Sequence, residues 1–358
     1  MQQFDPNRLN PSFSARYVLR DMLGSGGFGF VYVAQRLCDG VEVAVKFIRK
    51  SKVHPNSWIL DSDLGWVPSE VFILKRIQHP NVIRFLEYYD DDHFGYLITE
   101  IHGAPWTSSR EALDSSLNGS TGPVSTGFPS PLTPNSCEWS QSSTGTYGCP
   151  HPPSVDSLAS ATSPPISPAQ SLDGDPAPKK PPSLTRKSSR DLFECIEQHQ
   201  RFTEDQAKFV MKQILTVVRD LHALGIIHRD LKDENILINE RFEVKLIDFG
   251  SATIVAPAQP VVFNSFQGTV QFASPEMLRG ERYGGIEADV WALGTCLYIM
   301  LTGDAPFQSI QQASFGKINE PRCPLSNEAV HLIYWMLCVS PHERATLLDA
   351  LSHPWFYC

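Results

Sequence analysis

The octapeptide HRDLKDEN, His228 to Asn235, most constrains what this chain can fold into, because it sets a base and a metal ligand on one tight loop. Asp230 can take the proton of an attacking hydroxyl, and Asn235, five residues on, can offer its amide oxygen to Mg²⁺. Between them, Lys232 carries an ammonium that can reach a phosphoryl group in transit, and Arg229 can pair with a negative group that locks the neighbouring loop. A lone HRD is weak evidence. Base, lysine and asparagine together at this spacing are strong evidence.

Upstream, Tyr17 to Leu23 reads as a strand leading into GSGGFGFV, Gly24 to Val31. Its glycines, Gly24, Gly26, Gly27 and Gly29, permit a sharp turn and let backbone N–H groups approach phosphates, with Ser25, Phe28 and Val31 in the same flap. Such a pattern alone can be a structural turn, but here VAVK follows rather than a helix, which excludes a dinucleotide-binding fingerprint. The strand Val41 to Ile48 alternates and places Lys46, with Ala44 near it, among apolar neighbours. Lys46 can be a snorkelling strand-end lysine; the functional reading has it holding the α- and β-phosphates of ATP, fixed by Glu70. Glu70 opens a helix whose Val71, Leu74 and Ile77 share one face, and Pro68 marks its first turn, leaving a helix that is short or adjustable at its N-terminus and the resting Lys46–Glu70 pairing open. Two further strands follow, Val82 to Tyr89 and Gly95 to Glu100.

From about Ala104 to Arg190 the composition shifts to Ser, Thr, Pro and Gly, which cannot bury enough surface to offset ordering entropy, so this insert is expected to be disordered. Closing it costs only about 2.5 kcal/mol more than a short loop. It can be a spacer or a regulatory and docking segment: Ser130, Thr133, Ser163 and Ser167 each precede proline, and Arg186 precedes Ser189 by three residues. Order resumes at DLFECIEQH, and Thr203 with Gln206 forms a capping box for a helix whose Ala207, Val210, Ile214, Val217 and Leu221 form a core stripe. ILI and VKLI read as a hairpin that delivers DFG at Asp248 to Gly250. An aspartate there supplies the hard carboxylate that Mg²⁺ on ATP requires. Thr269 is positioned to bond the catalytic loop, Glu276 to pair with Arg344, and Asp289 to brace the loop backbone.

Composition narrows the partners. A net charge of −9 argues against nucleic acid or an anionic membrane and suits a basic substrate. Eight cysteines without CxxC spacing read as reduced thiols of a cytoplasmic or nuclear protein. The longest apolar stretch, Val290 to Leu301, falls short of the roughly 20 residues of a membrane span, and the first residues do not read as a signal peptide. Residues 1–16 are expected to be a flexible tail.

Taken in order, these motifs resemble the eukaryotic protein kinase catalytic domain over Tyr17 to about Phe356 apart from the insert, and DLKDEN is similar to serine/threonine rather than tyrosine kinases. KDEN, DFGSA, EIHG and WILDSDLGWV look most like PAS-domain-regulated kinases and their Pim relatives, although 16 residues before Tyr17 are too few for a PAS domain. The resemblance implies an α+β, two-lobed fold: a small β-rich lobe with its hinge over 17–103, and a larger helical lobe over 191–358. It implies a hinge in which Glu100 and His102 meet adenine, with Thr99 guarding the back pocket and Asp191 near the ribose. It also implies ATP and Mg²⁺ as cofactors, with Asn235 and Asp248 as metal ligands. Glu234 resembles the acidic residue that reads substrate arginines, so the expected partners are proteins with basic residues N-terminal to the Ser or Thr acceptor, met by a monomeric enzyme. Ser265 stands where many kinases carry an activating phosphate, and whether it is required is left open. The alternative from another class is a pseudokinase-like scaffold with the insert as docking segment; no catalytic group is lost, which disfavours it.

Overall fold

In a computed structural model of the chain, residues 4–5, 8–27, 29–102, 190–255 and 261–357 are described. Phe28, the insert from 103 to 189 and its candidate phosphorylation sites lie outside the described residues.

The strand Tyr17–Ser25 (β1), mixed in composition, pairs with Gly29–Arg36 (β2) and β2 with Glu42–Arg49 (β3), strands rich in β-branched and aromatic residues, as an antiparallel meander. Side-chain alternation gives the sheet two apolar faces. Val43, Val45 and Phe47 point to one side, while Ala44 and Lys46 point to the other, toward the second lobe.

The outer face overturns the expectation of a flexible tail over 1–16, for its described residues. A short helix, Pro11–Ser14 (α1), is capped by the Asn10 side chain, and its Phe13 is fully buried against Tyr17, Phe47, Tyr89 and Tyr96. Phe4 packs on Phe30, Phe47 and Phe94. These aromatic side chains remove enough apolar surface from water to order a polar, proline-bearing stretch. A second hydrophobic core results, separate from the main one.

The segment before the first long helix forms a hairpin of its own, Trp58–Asp61 (β4) and Gly65–Pro68 (β5). Buried Asp61 ties that hairpin to Lys75 and Arg76 of the helix Ser69–Arg76 (α2), which has Pro68 at its N-cap. Phe85–Asp90 (β6) and Phe94–Glu100 (β7) complete the sheet, in the order β1-β2-β3-β7-β6. The expected strand from Val82 starts three residues late, because residues 81–83 bond to Leu246 of the other lobe: Leu246 N–H donates to Asn81 and Ile83 N–H donates to Leu246.

The chain is next described at Arg190–Asp191 (β8), where Asp191 caps the helix Leu192–His199 (α3) through the Glu194 N–H. The capping box of Thr203 and Gln206 starts Glu204–Ala223 (α4), which buries Ala207, Val210, Ile214, Val217 and Leu221. Ile226–Ile227 (β9) precedes the catalytic loop; Ile236–Ile238 (β10) and Val244–Leu246 (β11) follow it, and β8 pairs with β10. His102, at the end of the first lobe, bonds through Nε2 to the Glu243 carbonyl beside the same hairpin. Further on, Pro275–Leu278 (α5) leads to Gly285–Thr302 (α6), a helix apolar nearly all round and buried accordingly. Ile310–Ser314 (α7), Asn327–Met336 (α8) and Leu347–Leu351 (α9) close a helical lobe. The architecture is α+β in two lobes, as expected. Among the described residues, no helix is long and apolar enough to cross a membrane and no cluster of His, Cys, Asp or Glu is arranged to hold a metal ion.

Candidate active site

Between the lobes lies a cavity of about 280 Å³. Leu23, Gly24, Val31 and Ala44 roof it; Thr99, Glu100 and His102 line its back; Asp191, Glu234 and Leu237 lie below, and Lys46, Glu70 and Asp248 stand at its deep end. A second cavity of about 430 Å³ opens beside it and brings Gly26 and Gly27 to the same space as Asp230, Lys232, Asp248 and Thr269. Ser25 and Gly29 line neither. Gly29 serves packing instead: a Cβ there would lie 1.9 Å from the Phe47 carbonyl oxygen.

Lys46 joins three elements. Its Nζ lies 2.6 Å from Glu70 Oε1 on α2 and 2.8 Å from Asp248 Oδ1, so the helix is docked and the aspartate turned inward. Burial disfavours the Lys46 ammonium, but the two carboxylates outweigh it and its pKa rises. Glu70 is 4 % exposed, and burial raises its carboxyl, with the neighbouring Asp248 charge acting in the same direction. At Asp248, burial is outweighed by Lys46 and the carboxyl stays below its usual range. Asp248 has a left-handed backbone, with φ of 60°, and its side chain accepts from the Gly250 N–H. This is strain of the kind that functional loops store.

The catalytic loop is held from beneath. Asp289 on α6 accepts from the His228 N–H at 3.2 Å and the Arg229 N–H at 3.0 Å, and His222 approaches the same carboxylate at 2.8 Å. Arg229 has φ of 65°, so that bracing offsets a strained conformation. Thr269 Oγ1 donates to Asp230 Oδ1 at 2.9 Å, orienting the carboxylate. Asn235 spends its amide nitrogen on the Asp230 carbonyl at 2.8 Å, which leaves Oδ1 as its coordinating atom. Lys232 is paired with Glu234. Arg229 itself meets neutral groups, donating to Thr253 Oγ1, the Ser265 carbonyl and Tyr283 Oη, with the Phe263 ring 4.0 Å from its guanidinium.

The donor set suits Mg²⁺: an amide oxygen from Asn235, which is buried and lines neither cavity but is bonded to Asp230, and a carboxylate from Asp248, which lines both and is bonded to Lys46. Sequence reasoning missed Leu23, Ile83, Leu97, Ile101, Glu194, Leu237 and Ile247 in the cavity lining. Most are apolar strand or loop residues that make an adenine slot, and only their place in the strands could have indicated them.

A family model described as "Protein kinase domain" matches residues 17–111 and 184–356. The chain belongs to the protein kinase family. It is 30% identical over 343 residues to the PAS domain-containing serine/threonine-protein kinase of Mus musculus, covering 96% of this chain and 18% of that protein. It is 31% identical over 350 residues to the serine/threonine-protein kinase ppk6 of Schizosaccharomyces pombe, covering 97% of this chain and 34% of that one. Sperm motility kinase 2B of Mus musculus is 29% identical, with 96% of this chain and 52% of that protein covered. The chain thus spans from about a fifth to about half the length of these relatives.

Proposed function

We propose that the chain transfers the γ-phosphoryl group of ATP to serine or threonine hydroxyls of proteins, with a preference for basic residues N-terminal to the acceptor. The observation that carries this reading is that Lys46 is bonded to both Glu70 and Asp248, and these two carboxylates also line the space that Asp230 and Lys232 line.

Each residue then has a role. Lys46, pinned by Glu70, orients the α- and β-phosphates; Asp230, oriented by Thr269, accepts the proton of the attacking hydroxyl; Lys232 stabilises the charge on the phosphoryl group in transit. Asn235 and Asp248 would hold Mg²⁺, which neutralises phosphate charge when bound with ATP. Thr99, Glu100 and His102 receive adenine, and Asp191 approaches the ribose. The basic preference rests on three carboxylates, Asp191, Glu194 and Glu234, lining one cavity, a lining suited to a guanidinium.

Mg²⁺-dependent transfer to a positionally randomised serine/threonine peptide library tests both parts, with Asp230→Asn as control. Transfer that disappears in the control and selects arginine upstream of the acceptor is the expected result. ATP binding without any transfer in the unaltered chain would favour a scaffold.

A further inference from the structure

The described residues 4–5 and 8–16 close the outer face of the sheet, and their effect reaches the face that meets the cavity. Phe4 acts as a wedge: its ring centroid lies 4.5 Å from Phe30 and 4.8 Å from Phe47, edge-on to both. Phe30 and Phe47 are themselves stacked at 5.1 Å. Phe30 is the root of the glycine turn on β2, and it pairs across that turn with Ser25. Successive side chains on a strand point to opposite faces, so Phe30 is followed by Val31 and Phe47 preceded by Lys46, both of which line the cavity. Two aromatic rings on the outside thus share backbone with two cavity residues on the inside.

The glycine turn is closed by its own backbone, Gly26 N–H donating to the Gly29 carbonyl at 2.8 Å and Gly29 N–H to the Gly26 carbonyl at 3.4 Å, and before Gly29 it touches little outside itself. A Cβ added at Gly24, Gly26 or Gly27 would meet nothing within 4 Å. Its position over the sheet is therefore set by its roots, and the Phe30 root is held by Phe47 and Phe94 on the sheet and by Phe4 at 4.5 Å, the shortest of these ring contacts. Phe4 is in turn carried by a segment pinned to the sheet: Asn10 Nδ2 donates to the Asp90 carbonyl at 2.7 Å, and Phe13 is wholly buried.

We propose that Phe4 is a positioning residue of the phosphate site, holding the glycine turn over the ATP phosphates by clamping Phe30 from the far side of the sheet. This rests on the reading of the cavity as an ATP site. Phosphates are the part of the ligand that the turn would meet, whereas adenosine is held by the hinge and the roof strands. Loss of the Phe4 ring should therefore separate the two ligands.

The test compares the full chain with its Phe4→Ala and Phe4→Leu forms, measuring equilibrium binding of Mg·ATP and of adenosine by calorimetry, with thermal unfolding recorded in parallel. Loss of the edge-on aromatic pairs is expected to weaken ATP binding about tenfold in Phe4→Ala, with adenosine affinity held within about twofold. Phe4→Leu, which refills part of the space, should recover much of the ATP affinity. Unchanged ATP binding in Phe4→Ala overturns the proposal, as does equal weakening of ATP and adenosine, which would make the segment a general stabiliser of the sheet. A parent chain that binds neither ligand would sink the ATP-site reading, and the wedge with it; binding by the parent with no change in the variant sinks the wedge alone.

Discussion

Removing the carboxylate of Glu276 should be among the most damaging single changes to this fold, although the residue is remote from the nucleotide. Glu276 and Arg344 are 2 % and 4 % exposed and form a two-pronged pair, both N···O distances 2.9 Å. Arg344 also donates to the carbonyls of Cys338, Glu287 and Val339 and lies 5.1 Å from the Trp291 ring. Glu276→Ala leaves a guanidinium in a dry site with carbonyl dipoles but no counter-charge, a loss of about 3–5 kcal/mol. For a domain of this size that is a fall in Tm of about 6–20 °C. The double variant Glu276→Met, Arg344→Leu removes the stranded charge and should recover part of the loss. Recovery is incomplete because three carbonyls lose a donor, at about 1 kcal/mol each. Urea unfolding followed by tryptophan fluorescence measures both. Burial alone would raise the Glu276 carboxyl, but Arg344 outweighs it and holds the pKa low. The stabilisation is therefore complete above the usual carboxylate range and disappears as pH falls through the depressed folded value. The reasoning is refuted if Glu276→Ala unfolds within about 1 kcal/mol of the parent, below the lower bound for stranding a buried charge.

Three other outcomes follow from the geometry. Gly29→Ala sets a methyl against the Phe47 carbonyl and should destabilise the first lobe by about 1–3 kcal/mol while weakening ATP binding, read by calorimetry and thermal unfolding. Asp289→Ala removes the acceptor that holds the strained Arg229 backbone and strands the buried His228 N–H, so kcat/KM should fall about 10–100-fold and Tm should fall with it, by an amount set by about 1–3 kcal/mol per stranded donor. Burial pushes the Asp233 carboxyl up to about 6, so the folded state binds that proton more tightly than the unfolded state, and its stability declines as pH rises through that value. Asp233→Asn keeps an acceptor for the Glu234 N–H and should be more stable than the parent by about 3 kcal/mol at pH near 7.5, an advantage absent near pH 4. Denaturant titrations at the two pH values decide the matter, and equal effects at both would refute it.

The catalytic loop was legible because its groups lie within eight residues and act through spacing that any fold containing them must respect. Asp230, Lys232 and Asn235 need only one tight turn to converge. Lys46, Glu70 and Asp248 were legible for another reason: each is a charged residue set in an apolar stretch, a placement that burial makes costly without a partner. The segment holding Phe4 and Phe13 was not legible, because its apolar residues follow no helical or strand period and their partners lie on β2, β3, β6 and β7. The hairpin of β4 and β5 was read only as a family signature. What fixes the hairpin is the tie from Asp61 to Lys75 and Arg76, which no local pattern announces. Apolar lining residues such as Leu237 and Ile247 look like ordinary core until the two lobes are placed face to face.

His102 and Asp191 both fasten to one hairpin: the first through its ring to the Glu243 carbonyl, the second through strand pairing with Leu237. The chain therefore departs from and comes back to a single rigid post. The spacing of His102 against Asp191 is therefore set by that hairpin. The position is a natural socket for foreign sequence, where a reporter or a ligand-responsive domain could be spliced into the polypeptide while the adenine slot keeps its dimensions.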